Sequence, residues 1–287
     1  VYSRSRRSRA PEQDGIMNSI AVKQYRVEPG HKPDLKQIRP DDTAGLSKEE
    51  AQHLEDELEQ RMAALQERLY AEGKQALLVI FQAMDAGGKD GAIKKVFDHI
   101  NPQGVRVTSF KTPTALELSH DFLWRIHQQV PPKGYIGIFN RSHYEDVLIV
   151  RVNELVPETV WRARYDQINA FEALLHASGT RILKFYLHIS KDEQKRRFEE
   201  RLSDPSKHWK FSSADLAVRE RWGDYMRAYE DALSRCSTEH APWYIIPANK
   251  KWFRDLLVSQ IIVETLEAMD PRFPDPEPGL DQIVIPD

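Results

Sequence analysis

The chain of 287 residues has a single cysteine, Cys236, so it can form no intrachain disulfide and suits a reducing compartment. No apolar run approaches the ~20 residues that a bilayer-spanning helix requires. Arg4, Arg6, Arg7 and Arg9 lie near the amino end, yet no apolar stretch of about 7–15 residues follows them, so no secretory leader is expected. Charge of one sign is also scarce. Lys and Arg number 41 against 44 Asp and Glu, a net of −3, which gives no global pull toward nucleic acid or a membrane surface. No His or Cys residues stand at zinc-ligand spacing, and no Ser/His/Asp arrangement for covalent catalysis is apparent. These absences predict a cytoplasmic protein whose polyanionic ligands, if any, are held by a local basic cluster.

What is present is enough for one substantial core: 40% of residues are hydrophobic. Ser47 with Glu50 forms a capping box, and Ala51, Leu54, Leu58, Met62, Leu65 and Leu69 recur at helical spacing up to Gly73, predicting a long helix over 47–73. Its seam suits packing on the domain or against a second copy equally well. Strands are expected at Ala76 to Phe81, Val105 to Phe110, Tyr135 to Phe139, Ile182 to Ile189 and Trp243 to Pro247. Between them the pattern predicts helices over Ala92 to Ile100, from the Thr114/Glu117 capping box to about Gln129, and over Pro157 to Ala177. Two more are expected, from Ser190 (capping box with Glu193) to about Leu202 and from about Ser213 to Arg235. Strands alternating with helical crossovers argue an α/β fold with a parallel sheet flanked by helices. Residues 1–23 read as a disordered or extended segment, 24–269 as one domain with a lid over about 190–235, and 270–287 as a Pro-rich tail.

The strand at Ala76 to Phe81 runs into Ala83-Met84-Asp85-Ala86-Gly87-Gly88-Lys89-Asp90-Gly91 and then a helical pattern. Strand, glycine turn with one lysine, and helix make a phosphate cradle: loop N–H groups and the positive end of the helix converge on anionic oxygens, and Lys89 adds a point charge. Gly87, Gly88, Lys89, Asp90, Gly91 and Lys94 are therefore candidate phosphate ligands. The match to GxxxxGK[ST] is imperfect, because Ala83 stands at the first glycine and Asp90 at the hydroxyl position. Asp85 adds a second carboxylate inside the loop. Two carboxylates repel a polyphosphate unless Mg²⁺ or nearby Lys and Arg compensate.

Ligands in open parallel sheets gather at the carboxyl ends of strands. Phe139 is followed by Asn140-Arg141-Ser142-His143-Tyr144-Glu145-Asp146, where a neutral Asn140 takes the first position and the carboxylates come later. Asn140, Arg141, His143 and Tyr144 are candidate nucleotide contacts, with Asp85 and Glu145 the candidate metal ligands. Lys191 to Arg227 holds ten Lys or Arg and eight Asp or Glu, with a break at Asp204 to Phe211. A segment of this kind before the final strand is where nucleotide kinases carry a mobile lid. Arg197, Arg201, Lys207 and Lys210 are positioned to close over phosphates, although most charges in this segment suit ordinary helix-surface pairing. His127, alone on a helix, reads as a packing residue, not a base.

Three stretches, AMDAGGKDG (83–91), FNRSHYEDV (139–147) and KFYLHISKDEQKRRFEERLSDPSKHWKFS (184–212), resemble the phosphate loop, second acidic motif and lid of the second polyphosphate kinase family, and the similarity runs from roughly Gln24 to Thr265. The resemblance implies a thymidylate-kinase-like P-loop kinase fold, a homo-oligomer (dimer or tetramer), and Mg²⁺-dependent, reversible phosphoryl transfer between inorganic polyphosphate and nucleotides, with Mn²⁺ a substitute ion. It puts Asp85, Lys89 and Asp90 in the essential loop, Arg141 in the second motif and Arg201 in the lid. Asn140 and Glu145 look like the third subclass, which phosphorylates both AMP and ADP and so forms ADP and ATP. Two rivals remain open on the residues alone: an ATP-dependent nucleoside monophosphate kinase, and a nucleotide-binding regulatory module without turnover. A nucleic-acid binder built on the lid lacks aromatic interleaving beyond Trp209 and Phe211.

Overall fold

The computed structural model describes residues 20–286. In chain order the strands are β1 (Arg26–Val27), β2 (Ala76–Ala83), β3 (Val105–Ser109), β4 (Ile136–Asn140), β5 (Thr180–His188) and β6 (Trp243–Pro247). The helices are α1 (Lys48–Glu72), α2 (Lys89–Val96), α3 (Ala115–Leu118), α4 (Trp124–His127), α5 (Ile149–Val152), α6 (Glu158–Ala177), α7 (Lys191–Ser203), α8 (Ala214–Glu220), α9 (Trp222–Cys236) and α10 (Lys251–Met269). The sheet order is β1-β6-β5-β2-β4-β3. All pairings are parallel except β1 with β6, where Arg26 faces Tyr244 and Val27 faces Trp243. Every residue of β2 is buried, as a central parallel strand covered on both faces must be.

Local signals place the elements. Ser47 accepts from the Glu50 N–H while Glu50 reaches back to the Ser47 N–H, and Gly73 closes α1 in the left-handed conformation (φ 61°) that glycine adopts without strain. The buried stripe of α1 lies on α10, with Arg61 of α1 paired to Glu267 at 2.7 Å, so this seam packs on its own domain. α10 is buried over most of its circumference and has no side-chain N-cap, which hides it from a search for amphipathic periodicity. With α1 and α2 it covers one sheet face; α5, α6 and α9 cover the other.

Three expectations about helices are corrected. The helix expected from Thr114 to Gln129 is two short pieces, because Asp121 caps the Leu123 N–H at 2.9 Å and Leu116 and Leu118 remain exposed, so nothing holds the intervening turn helical. The helix expected over 213–235 breaks at Arg221, which lets α9 turn Tyr225, Tyr229 and Leu233 into the core while α8 buries nothing. At α7 only half of the capping box forms: Ser190 accepts from Glu193, but the Glu193 carboxylate goes to Arg196 and Arg197. Of the segment 1–23, residues 1–19 lie outside the described residues, whereas Ile20 is buried and its N–H and C=O both bond the Gln260 side chain (3.2 and 2.9 Å). Among the described residues the tail from Asp270 has no α-helix or strand, only one 3₁₀ turn at Leu280–Gln282. No helix of the described residues is long and apolar enough to cross a membrane.

Beneath the second sheet face lies a fully buried ion pair, Lys184 with Glu172 at 2.5 Å. The ammonium also donates to the Tyr144 hydroxyl (2.8 Å) and the Cys236 carbonyl (2.6 Å), so all three of its protons are used. Glu172 accepts in addition from Tyr144 (2.9 Å) and lies 3.2 Å from His143 Nε2. A buried pair completed in this way is costly to break on one side only, because the partner charge is then stranded. Lys184→Met is expected to lower the unfolding free energy by about 3–5 kcal/mol in urea titrations, and Lys184→Met combined with Glu172→Gln to recover most of that loss. A single variant as stable as the parent would show that the pair does not hold this region.

Candidate active site

The carboxyl ends of β2 and β4 are adjacent, with Phe81 paired to Asn140, and each runs directly into one of the two loops singled out in the sequence. After β2 the chain turns through Met84 to Gly88, where Gly87 N–H closes on Met84 C=O at 2.9 Å. Two glycines are required here. A Cβ at Gly87 would come within 2.5 Å of Ala83 Cβ and 2.7 Å of Met84 O, and Gly88 has φ +96° with Arg254 Nη1 only 2.3 Å from where its Cβ would be.

The loop's carbonyl groups are held from outside. Gln194 donates to Asp85 O (2.9 Å), Arg197 to Ala86 O (3.0 Å) and Arg254 to Gly88 O (3.3 Å). With those carbonyls committed, the first N–H groups of α2, which have no partner within their own helix, are left for anionic oxygens. Lys89 Nζ rests on Ala83 O at 3.1 Å. Burial and the neighbouring Arg141 push the Lys89 pKa down, against the pull of Asp85, Glu145 and Asp90.

After β4, Arg141 adopts a left-handed backbone (φ 64°), a conformation that costs a non-glycine residue energy and tends to persist at functional sites. Its N–H bonds Phe81 O at 3.0 Å, and its guanidinium lies 3.0 Å from Asp85 Oδ1 and 3.9 Å from Glu145 Oε2. Burial alone would lower its pKa, but Glu145 and Asp85 outweigh it and hold the guanidinium above its ordinary value. Asn140 Nδ2 donates to Asp90 Oδ1 at 2.5 Å, a second tie between the two loops. Gln82 Nε2 donates to Glu145 Oε1 at 3.2 Å. The cleft between the loops is lined by Asp85, Arg141 and Glu145 on one side and by Val218, Tyr225 and Tyr229 on the other. A larger concavity of about 670 Å³ near Trp161 contains Arg151, Arg221 and Arg227, but Asp231 and Asp224 already pair these arginines.

The structure thus brings together Asp85, Gly87, Gly88, Lys89, Asp90, Gly91, Asn140, Arg141 and Glu145. The remaining candidates lie elsewhere. His143 and Tyr144, expected at the nucleotide, have fully buried side chains that face the Glu172–Lys184 pair, because the turn after Ser142 points them into the core. Burial pushes the His143 pKa down despite Glu172. Arg197, expected in a closing lid, is buried and braces the loop, with its remaining nitrogens on Glu193 (2.7 Å) and Ala248 O (2.5 Å). Lys207 is exposed and paired with Asp204 (2.8 Å), and Lys210 is exposed over the Trp209 ring, so both lie at the tip of the helical excursion. Arg201 donates to Lys210 O (3.0 Å) and lies 3.9 Å from Asp215, and Lys94 is exposed on α2. Burial and the proximity of Asp85 raise the Asp215 pKa.

Gln82, Gln194, Asp215, Tyr225, Tyr229 and Arg254 escaped the sequence reading. Two carried a legible signal: Gln82 is the one polar residue in an otherwise apolar strand, and Arg254-Asp255 is a charged pair inside an apolar helix.

Asp85 and Glu145 flank the cleft, and carboxylate oxygens are donors of the kind a hard divalent ion takes. Among the described residues no group of three or more His, Cys, Asp or Glu gathers.

The profile of the family Polyphosphate kinase 2 (PPK2) matches residues 45–274. The chain is 56% identical over 266 residues to the AMP/ADP-polyphosphate phosphotransferase of Meiothermus ruber, an alignment that spans 92% of this chain and 100% of that protein. It is 50% identical over 273 residues to the ADP-polyphosphate phosphotransferase of Rhodopseudomonas palustris, covering 91% and 94% of the two chains. The crystal structure of polyphosphate kinase 2 from Arthrobacter aurescens TC1 superposes with a TM-score of 0.87 at 45% identity, over 91% of this chain and 93% of that one. With a phosphate loop and an acidic second motif joined through Asp85 and Arg141 on a parallel sheet, the chain belongs to the polyphosphate kinase 2 family.

Proposed function

We propose that this enzyme transfers the terminal phosphoryl group of inorganic polyphosphate to AMP and to ADP, forming ADP and ATP. The observation that carries the reading is the alternation of charge across the cleft, Asp85, Arg141, Glu145, beside a P-loop lysine. A site that wraps only a nucleoside triphosphate needs no second carboxylate in its cradle. A site where a polyanion end meets a nucleotide needs cations for one and a shared metal for the other. That the Meiothermus ruber relative is an AMP/ADP-polyphosphate phosphotransferase supports both acceptors.

In this reading Lys89, the N–H groups at the start of α2 and Arg141 bind the phosphates and absorb charge as it shifts to the leaving group. A terminal phosphate oxygen of the acceptor attacks the terminal phosphorus of polyphosphate in line; the new P–O bond forms as the bridging P–O bond breaks, and its electron pair leaves with the shortened chain. No covalent enzyme intermediate is needed. Asp85 and Glu145 would hold Mg²⁺, or Mn²⁺ in its place, whose positive charge neutralises phosphate oxygens. Glu145 carries a further role: it lets an acceptor with one phosphate fewer be used, as the resemblance to the third subclass implies. Arg201 is assigned to the polyphosphate side, exchanging Asp215 for phosphate, while Lys207 and Lys210 reach it only by movement of the helical excursion. Work as a homo-oligomer in the cytoplasm, without nucleic acid or membrane, belongs to the same reading; the single buried thiol suits it.

The donor decides between this reading and an ATP-dependent monophosphate kinase. Incubated with AMP and Mg²⁺, the enzyme is expected to form ADP and then ATP with long-chain polyphosphate, and to stay inactive with ATP as donor in the absence of polyphosphate. Turnover with ATP alone would overturn it.

Lys89→Ala separates a catalyst from a binding module. Turnover is expected to fall by about 10²–10³-fold, the usual loss of one charge-stabilising donor, with nucleotide affinity changed far less. Parallel loss of both would favour a simple binding role.

A further inference from the structure

Gln82 sits one residue from the end of β2 with no exposed surface, in a strand whose other members are apolar or alanine. Its side chain makes one hydrogen bond, from Nε2 to Glu145 Oε1 at 3.2 Å, and its Oε1 is buried without a partner. The orientation of the amide follows from chemistry: an ionised carboxylate only accepts, so the nitrogen faces Glu145. A half-satisfied amide in a dry strand costs stability that a methionine of similar shape would not. Among the described residues Gln82 is also the one side chain within hydrogen-bond distance of Glu145, since Arg141 stands off at 3.9 Å.

We propose that Gln82 is a positioning residue that fixes the Glu145 carboxylate and through it sets the balance between AMP and ADP as acceptors. The proposal rests on the role given to Glu145 above. If Arg141 alone oriented Glu145, the carboxylate would swing toward Asp85 and the shared guanidinium, away from the β2 side of the cleft. The Gln82 amide pulls it back without adding charge.

The test compares the parent, Gln82→Met, Glu145→Gln and the double variant for kcat/KM with AMP and with ADP at saturating polyphosphate, alongside thermal unfolding. Gln82→Met is expected to unfold at the same temperature or higher, yet to lose AMP activity relative to ADP activity by about 10–100-fold, the usual effect of removing a group that orients a ligand-bearing carboxylate. In the Glu145→Gln background it should add nothing, because its effect runs through that residue. A ratio that moves in Glu145→Gln but not in Gln82→Met overturns the role of Gln82 alone. A ratio unmoved in Glu145→Gln overturns the role of Glu145 and this one with it, and equal losses in both backgrounds show that Gln82 acts elsewhere.

Gln82→Leu keeps the test decisive if the methionine variant does not fold: it too removes the Nε2 donor to Glu145 and leaves no unpaired polar atom in β2. Its AMP-to-ADP ratio should fall by the same roughly 10–100-fold. A ratio equal to that of the parent would overturn the proposal.

Discussion

Arg141 between Asp85 and Glu145 is the interaction on which the rest of the site depends. Two carboxylates at the mouth of a phosphate loop would repel each other and any polyphosphate, and the guanidinium placed between them offsets that repulsion. The geometry has a cost, paid in the left-handed backbone at residue 141 and anchored by its N–H on Phe81 O across the β2–β4 seam. A strand register fixed by a fully buried β2 therefore aims a charged side chain several bonds away. The fold acts on the chemistry through that register.

The phosphate loop and the acidic motif were legible because each is a short contiguous stretch placed directly after an apolar run, and a parallel sheet delivers all such stretches to one edge. Lys89, Asp85 and Arg141 need only that rule. His143 and Tyr144 could not be separated from their neighbours by sequence, since whether a residue of the turn after Ser142 faces cleft or core depends on the Lys184–Glu172 pair, supplied by β5 and α6 far along the chain. Arg197 misled for a related reason. A basic residue on a charged helix reads as a solvent-facing lid cation, yet α7 begins directly beneath the loop and buries that position against Ala86 and Ala248. β1 and α10 left weaker traces still, the first two residues long and the second apolar on nearly every side.

The bracing of the loop ties these points together. A P-loop works when its N–H groups converge, which requires its carbonyl groups to be turned away and satisfied elsewhere. Here the donors are side chains, Gln194 and Arg197 from α7 and Arg254 from α10, not a regular backbone ladder. The buried Arg254 is itself neutralised by Asp255, bonded at 2.8 and 2.9 Å, so the brace brings little net charge to the loop from below. Arg197 is likewise neutralised by Glu193. Among the described residues Lys89 has no carboxylate within ion-pair distance, whereas Arg141 is shared by Asp85 and Glu145 and Arg201 lies 3.9 Å from Asp215. The first half of α7, through the buried Phe198, thus packs beneath the loop, and beyond it the chain turns out through Asp204 toward Lys210.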